Sequence, residues 1–128
     1  MALSLQDQID IQQLLARYTH CADLLPAEAM RDVFTEDGVF KIEMMDIEVS
    51  GIDKIIAFFK EMRQASPHMR HICSNLVIDG DGDTATARSY LQVINTDGGA
   101  ALEALALYAD TLARTEQGWR LRSRAVEA

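Results

Sequence analysis

HICSNLVIDGDGDTATARSYLQVI, residues 71–94, decides the architecture. Two runs rich in apolar and β-branched residues, His71–Ile78 and Thr84–Ile94, flank the turn signal Asp79-Gly80-Asp81-Gly82. A connection that short forces the two strands to run antiparallel. The same grammar continues toward the end of the chain. Ala101–Thr115 and Trp119–Val126 read as two further strands, set off by Asp97-Gly98-Gly99 and Glu116-Gln117-Gly118. Ala and Leu in Ala101–Tyr108 favour helix by propensity, but hairpin-type turns on both sides favour strand. This half of the chain is expected to be an antiparallel meander.

Upstream the period changes. Ser4 with Asp7 three residues on resembles a capping box, and Ile11, Leu14, Leu15, Tyr18 and Ala22 then recur at helical spacing. Pro26 ends that helix and suits the first turn of a shorter one, Ala27 to about Phe34. Asp37-Gly38 reads as a turn, Val39–Met44 as a strand and Asp46–Ser50 as its hairpin partner. A third helix, Ile52–Arg63, turns Ile55, Ile56, Phe58, Phe59 and Met62 inward. The expected fold class is α+β: three helices in the N-terminal half cover one face of a curved, mainly antiparallel six-stranded sheet. Such an arrangement leaves a tapering hollow in which a small ligand would sit.

The chain of 128 residues shows no linker or repeat and reads as one domain, 1–128. Twenty acidic residues against twelve basic ones leave a net charge of −8, which repels phosphate backbones and anionic lipid. Neither nucleic acid nor a membrane is an expected partner, and no apolar run approaches the roughly 20 residues of a membrane span. Polar Gln6-Asp7-Gln8 directly after Met1–Leu5 argues against a secretory leader. Cys21 and Cys73 are too few for a disulfide scaffold. A reduced, cytoplasmic setting is expected. No glycine-rich phosphate loop is present, so no cofactor is expected. His20 with Asp23, and His68 with His71, have a spacing that metal ligands use, but Pro67 pulls its neighbours toward extended chain, where residues three apart diverge. No metal is expected.

Chemistry points to three residues. Tyr18 lies on the buried stripe of the first helix, Asp23 near that helix's end and His71 at the start of the first long strand. A carboxylate beside an imidazole fixes its tautomer and leaves the other nitrogen to take a proton, while a tyrosine can donate to an oxygen on which charge develops. The plainer alternatives are a capping aspartate and a structural histidine. Asn75, four residues after His71, shares its face by alternation and suits either a pocket hydrogen bond or a bulge. Phe34, Phe40, Phe58 and Leu91 are candidates to face a ligand, with Met44, Phe59, Met62 and Met69 beside them or in plain core. Arg120, Arg122 and Arg124 alternate with Trp119, Leu121 and Ser123, which reads as an exposed polar face shared with Asp110 and Arg114.

Several segments together carry a family resemblance. They are Ala16-Arg17-Tyr18 followed by Asp23, Phe34-Thr35-Glu36-Asp37-Gly38, Gly51-Ile52, His71 and Asn75, and Asp81-Gly82-Asp83-Thr84-Ala85. Tyr108 with Asp110, Gly118-Trp119-Arg120 and Arg124 complete the set. Over nearly its whole length the chain resembles the SnoaL-like group of the nuclear-transport-factor-2-like superfamily. The resemblance implies a cone-shaped α+β barrel. It also implies a homo-oligomer packed sheet against sheet, a dimer first and a trimer as alternative, with Tyr90, Ile94, Leu102 and Tyr108 supplying the apolar outer surface. Asp23 and His71 match the dyad of the dehydratase and dehydrochlorinase branch, and Tyr18 matches the tyrosine five residues before the aspartate in bile-acid dehydratase. This implies a lyase or isomerase working by base-initiated elimination or proton transfer on an apolar, oxygenated steroid, terpenoid or polyketide. Because some members of the superfamily only bind, the alternative is a non-catalytic small-molecule binding or accessory subunit. Two points of the comparison stand apart. Tyr90, Leu91 and Gln92 provide no second histidine of the scytalone dehydratase kind, and Arg124 aligns with an arginine of the dehydrochlorinase pocket.

Overall fold

The computed structural model describes residues 2–128. Helix α1, Leu5–Asp23, opens on the capping box: the Ser4 hydroxyl accepts from the Asp7 N–H at 3.0 Å and the Asp7 carboxylate from the Ser4 N–H at 3.2 Å. Its stripe Ile11, Leu14, Leu15, Tyr18, Cys21 and Ala22 is buried. The helix stops before Pro26, where the N–H groups of Leu24 and Leu25 both bond the His20 carbonyl. Directly after Pro26 the expected helix is a 3-10 segment, Ala27–Asp32, shorter than anticipated. Helix α2, Ile52–Ala65, buries Ile52, Ile55, Ile56 and Phe59. No helix among the described residues is long and apolar enough to cross a membrane.

Six strands form one curved sheet: β1 Phe34–Ile42, β2 Ile47–Ser50, β3 Met69–Asp81, β4 Thr84–Asn95, β5 Ala101–Thr115 and β6 Gly118–Glu127. Their order is β2-β1-β6-β5-β4-β3, antiparallel throughout except for β1 against β6. The α+β fold is therefore as expected, with α1 packed on β3 and β6 and α2 on β1 and β2. The sheet curls without closing, and β2 and β3 remain its edges. Two turn assignments need correction. Asp37-Gly38 lies inside β1, which bulges between Phe34 and Val39; the chain reverses instead through the 3-10 segment Glu43–Met45 and Asp46, whose φ is +53°. Gly80 belongs to β3, and the β3–β4 turn is Gly82-Asp83 alone.

Bulges in the long strands decide which side chains face the helices. An extra residue against a partner strand moves every later side chain to the opposite face. One lies between Ser74 and Val77 of β3, where Asn75 adopts φ +56°. A second makes Glu103 the extra residue of β5 opposite Val93 and Ile94. A third makes Arg122 the extra residue of β6, because Leu112 pairs with Leu121 but Thr111 pairs with Ser123. Past Arg122 the inward positions are thus Arg124 and Val126 rather than Ser123 and Ala125.

Gly80 is tightly enclosed within β3. A Cβ there would lie 2.6 Å from the Thr84 carbonyl oxygen, 2.9 Å from Leu3 Cδ1 and 3.0 Å from Ala85 Cα. Two of those atoms are backbone and cannot swing aside. Gly80→Ala should therefore destabilise the fold by about 1–3 kcal/mol, read as a lowered midpoint in chemical denaturation.

Candidate active site

Asp23 ends α1 beside the edge strand β3. An edge strand leaves alternate N–H groups without a ladder partner, and Asp23 takes one of them. Its Oδ2 accepts from the His71 backbone N–H at 2.9 Å, while its Oδ1 lies 2.6 Å from His71 Nδ1. A buried carboxylate is costly unless it is satisfied; here the Asp23 side chain is 5% exposed and meets two donors of a single residue. The clamp fixes both the backbone and the ring of His71. With Nδ1 as the donor, Nε2 keeps its lone pair.

Tyr18, Asp23 and His71 line a cavity of about 400 Å³ between α1, α2 and the concave side of the sheet, within the size range of small-molecule sites. Most of its wall is apolar, including Phe40, Phe58, Phe59 and Leu91. Met44, Met45 and Met62 line it as well but remain largely exposed to solvent. Arg63 adds a cation to the wall, and its Nη2 donates to the Cys21 carbonyl near the C-terminus of α1. Among the described residues no group of three or more His, Cys, Asp or Glu converges as a metal site.

Tyr18 is held by rings on several sides. Its centroid lies 6.2 Å from Phe34, 6.5 Å from Phe40, 5.9 Å from Phe59 and 5.9 Å from Tyr108, and each such contact contributes about 0.5–1.5 kcal/mol beyond area burial. Burial pushes its phenol up to about 12, against the lowering influence of Arg124. Burial likewise raises Tyr108 well above the ordinary tyrosine value. Both phenols therefore stay protonated at neutral pH and are donors, not bases.

Not every candidate reaches the cavity. Phe40, Phe58 and Leu91 do; Phe34 is buried behind it, edge-on to Tyr18. Asn75 is exposed, because its bulge breaks the alternation that would have placed it beside His71. The exposed reading of Arg124 and Asp110 is corrected too. Both side chains are 0% exposed and joined by two bonds, Nε to Oδ1 at 2.7 Å and Nη2 to Oδ2 at 2.9 Å. The guanidinium lies 3.6 Å from the ring centroid of Tyr108 and 4.3 Å from that of Tyr18. Tyr108, expected on the outer surface, is buried and lines the cavity. A tyrosine within an apolar strand carries no mark of which face it occupies, so local pattern could not place it inward. Arg114 does stay near the surface, bonded to Asp7 at 2.9 Å and Asp83 at 3.0 Å.

Comparison with known proteins agrees with the fold. The SnoaL-like domain profile matches residues 3–125. An uncharacterized Mycobacterium tuberculosis protein, Rv2910c, is 29% identical over 124 residues, covering 91% of this chain and 82% of the relative. An NTF2-like protein with a cystatin-like fold from Novosphingobium aromaticivorans superposes with a TM-score of 0.88 at 28% identity, covering 95% of this chain and 81% of its own. A Catenulispora acidiphila protein solved in complex with S-DNPA superposes at 0.85 with 30% identity, covering 97% and 94%.

The buried ion pair yields a stability prediction. Asp110→Ala strands the Arg124 charge and should cost about 3–5 kcal/mol, whereas Arg124→Met combined with Asp110→Leu should recover most of that loss. Thermal denaturation of the single and double variants checks both statements.

Proposed function

The chain belongs to the SnoaL-like domain family, and from that premise we propose that it is a lyase or isomerase acting on an apolar, oxygenated small molecule of the steroid, terpenoid or polyketide kind. The observation that carries this reading is the two-point clamp of Asp23 on His71 at the wall of an apolar cavity. Backbone support alone accounts for the bond to the His71 N–H but not for the second one to its ring.

The clamp suits proton abstraction. His71 Nε2 takes the proton from carbon next to a carbonyl, and the C–H electron pair moves toward the carbonyl oxygen. Tyr18 donates a hydrogen bond to that oxygen as its negative charge grows. Asp23 stabilises the imidazolium through Nδ1–H. In an elimination, the electron pair returns to form the double bond as a β-hydroxyl departs, taking the proton back from Nε2 to leave as water. In an isomerisation, the same proton is returned to a different carbon. The apolar wall keeps the reacting oxygen short of competing water, which strengthens the Tyr18 interaction. A binding or accessory role for the same pocket is the second reading, favoured by the small-molecule complex of the Catenulispora relative. A cytoplasmic setting is supported by the two free cysteines.

We also propose a homodimer formed through the outer face of the sheet. Ile72, Tyr90, Leu102 and Leu105 stand exposed there on neighbouring strands β3, β4 and β5, an apolar surface of the kind that marks an interface. Light scattering at micromolar concentration should return twice the 14.2 kDa chain mass; a monomer would refute the proposal.

Turnover of β-hydroxy ketones, followed by proton–deuterium exchange and product formation, tests the chemistry. Asp23→Asn should lower kcat by a few powers of ten with the fold intact, by analogy with other His–Asp pairs. His71→Ala should abolish base catalysis, and Tyr18→Phe should cost about tenfold to a thousandfold. On the alkaline side activity should hold level through about pH 10, because burial pushes Tyr18 up to about 12 and it keeps its own proton. A folded His71→Ala protein that turns over substrate at the wild-type rate would sink the mechanism.

A further inference from the structure

We infer that Met44, Met45 and Met62 form an oxidation site at the mouth of the cavity, where peroxide converts thioether to sulfoxide and thereby weakens the hold on apolar ligands. The inference rests on the proposed reading of the cavity as a site for apolar small molecules, and adds a control over its occupancy.

The distribution of methionine is the first ground. Met30, Met44, Met45, Met62 and Met69 are the methionines among the described residues, and all except Met30 line the cavity. Met30 is fully buried in the core. Met44 is 52% exposed, Met45 60% and Met62 38%, so each lies on the cavity wall and within reach of solvent at once. They come from two elements, the 3-10 segment Glu43–Met45 and helix α2, which the fold brings to one opening. Aliphatic side chains would supply the same apolar surface; the thioether adds a sulfur that peroxide can oxidise.

The chemistry is the second ground. A sulfur lone pair attacks one oxygen of hydrogen peroxide and the O–O bond breaks. The proton on the transferred oxygen passes to the departing hydroxide, which leaves as water. Sulfur is oxidised by two electrons and the peroxide is reduced by two. Cys21 competes poorly, because burial pushes its thiol up and the protonated form is a weak nucleophile. The sulfoxide is polar and accepts hydrogen bonds. An apolar ligand seated against it must strip water from the new S=O group without offering a donor, which is unfavourable. Phe40 and Leu91, buried on the same wall, are untouched by the reaction, so affinity falls while the fold stays intact.

Prodan, a neutral naphthyl ketone whose fluorescence changes in apolar surroundings, provides the binding probe. The protein is treated with hydrogen peroxide and then with dithiothreitol, which reverses sulfenates and disulfides but leaves sulfoxide in place. Peptide mass spectrometry locates the added oxygen. It should appear at Met44, Met45 and Met62 while Met30 stays unmodified, and the prodan dissociation constant should rise at least about fivefold. Methionine sulfoxide reductases should restore the original affinity. A variant carrying Met44→Leu, Met45→Leu and Met62→Leu, conservative in volume, should show the same dissociation constant with and without peroxide. The inference is overturned if these methionines resist oxidation, if they oxidise without loss of affinity, or if the leucine variant remains sensitive. It is overturned equally if Met30 is oxidised in step with the loss, which would signal unfolding. Failure of the untreated protein to bind prodan would overturn the apolar-cavity reading and this inference with it, so the two failures are told apart before peroxide is added.

Discussion

The Asp110–Arg124 pair is the constraint around which the interior is arranged. Two fully buried charges can be tolerated only with close geometry and bonded partners. The bidentate contact provides them, and it links β5 to β6 at their matched register. The cation then needs a polarisable lining, which the rings of Tyr18 and Tyr108 supply. Tyr18 is in turn the point at which α1 meets the aromatic cluster of Phe34, Phe40 and Phe59. The central charge pair thus fixes the tyrosine nearest the proposed chemistry. Arginine suits this position better than lysine, because its planar guanidinium can pair with a carboxylate and stack on rings at the same time.

The dyad is built on a different principle. Asp23 comes from a helix end and His71 from a sheet edge, two places where the backbone has unpaired polar groups. The carboxylate satisfies one of those edge N–H groups while orienting the imidazole, so a local need of the fold and a chemical arrangement share one side chain. Arg63 plays a comparable part by donating to the Cys21 carbonyl near the same helix end. The cavity opens beside these junctions, while Ile11, Met30 and Leu121 belong to the fully buried core. Exposed methionines at its rim offer a flexible, apolar surface able to adapt to ligands of different outline.

The sequence by itself determined the elements that rest on local rules. The Ser4–Asp7 cap, the buried stripe of α1, helix α2 and the four-strand meander follow from spacing and turn residues, and each formed where those patterns placed it, within a few residues. The pairing of Asp23 with His71 was legible through family resemblance rather than through spacing, since 48 residues separate the two. Tertiary structure alone decided which strand faces look inward. A bulge inserts one residue and reverses alternation beyond it; Asn75 was one place where a bulge could be suspected, but nothing in the residues around Arg122 announces one. Simple alternation therefore put Asn75 beside the dyad and Arg124 in solvent, whereas the folded sheet exposes Asn75 and buries Arg124. The bulge at Arg122 turns the next arginine into the interior, where Asp110 from the neighbouring strand makes its charge tolerable. That compensation exists only across a formed sheet, which is why one chain of residues could not reveal it.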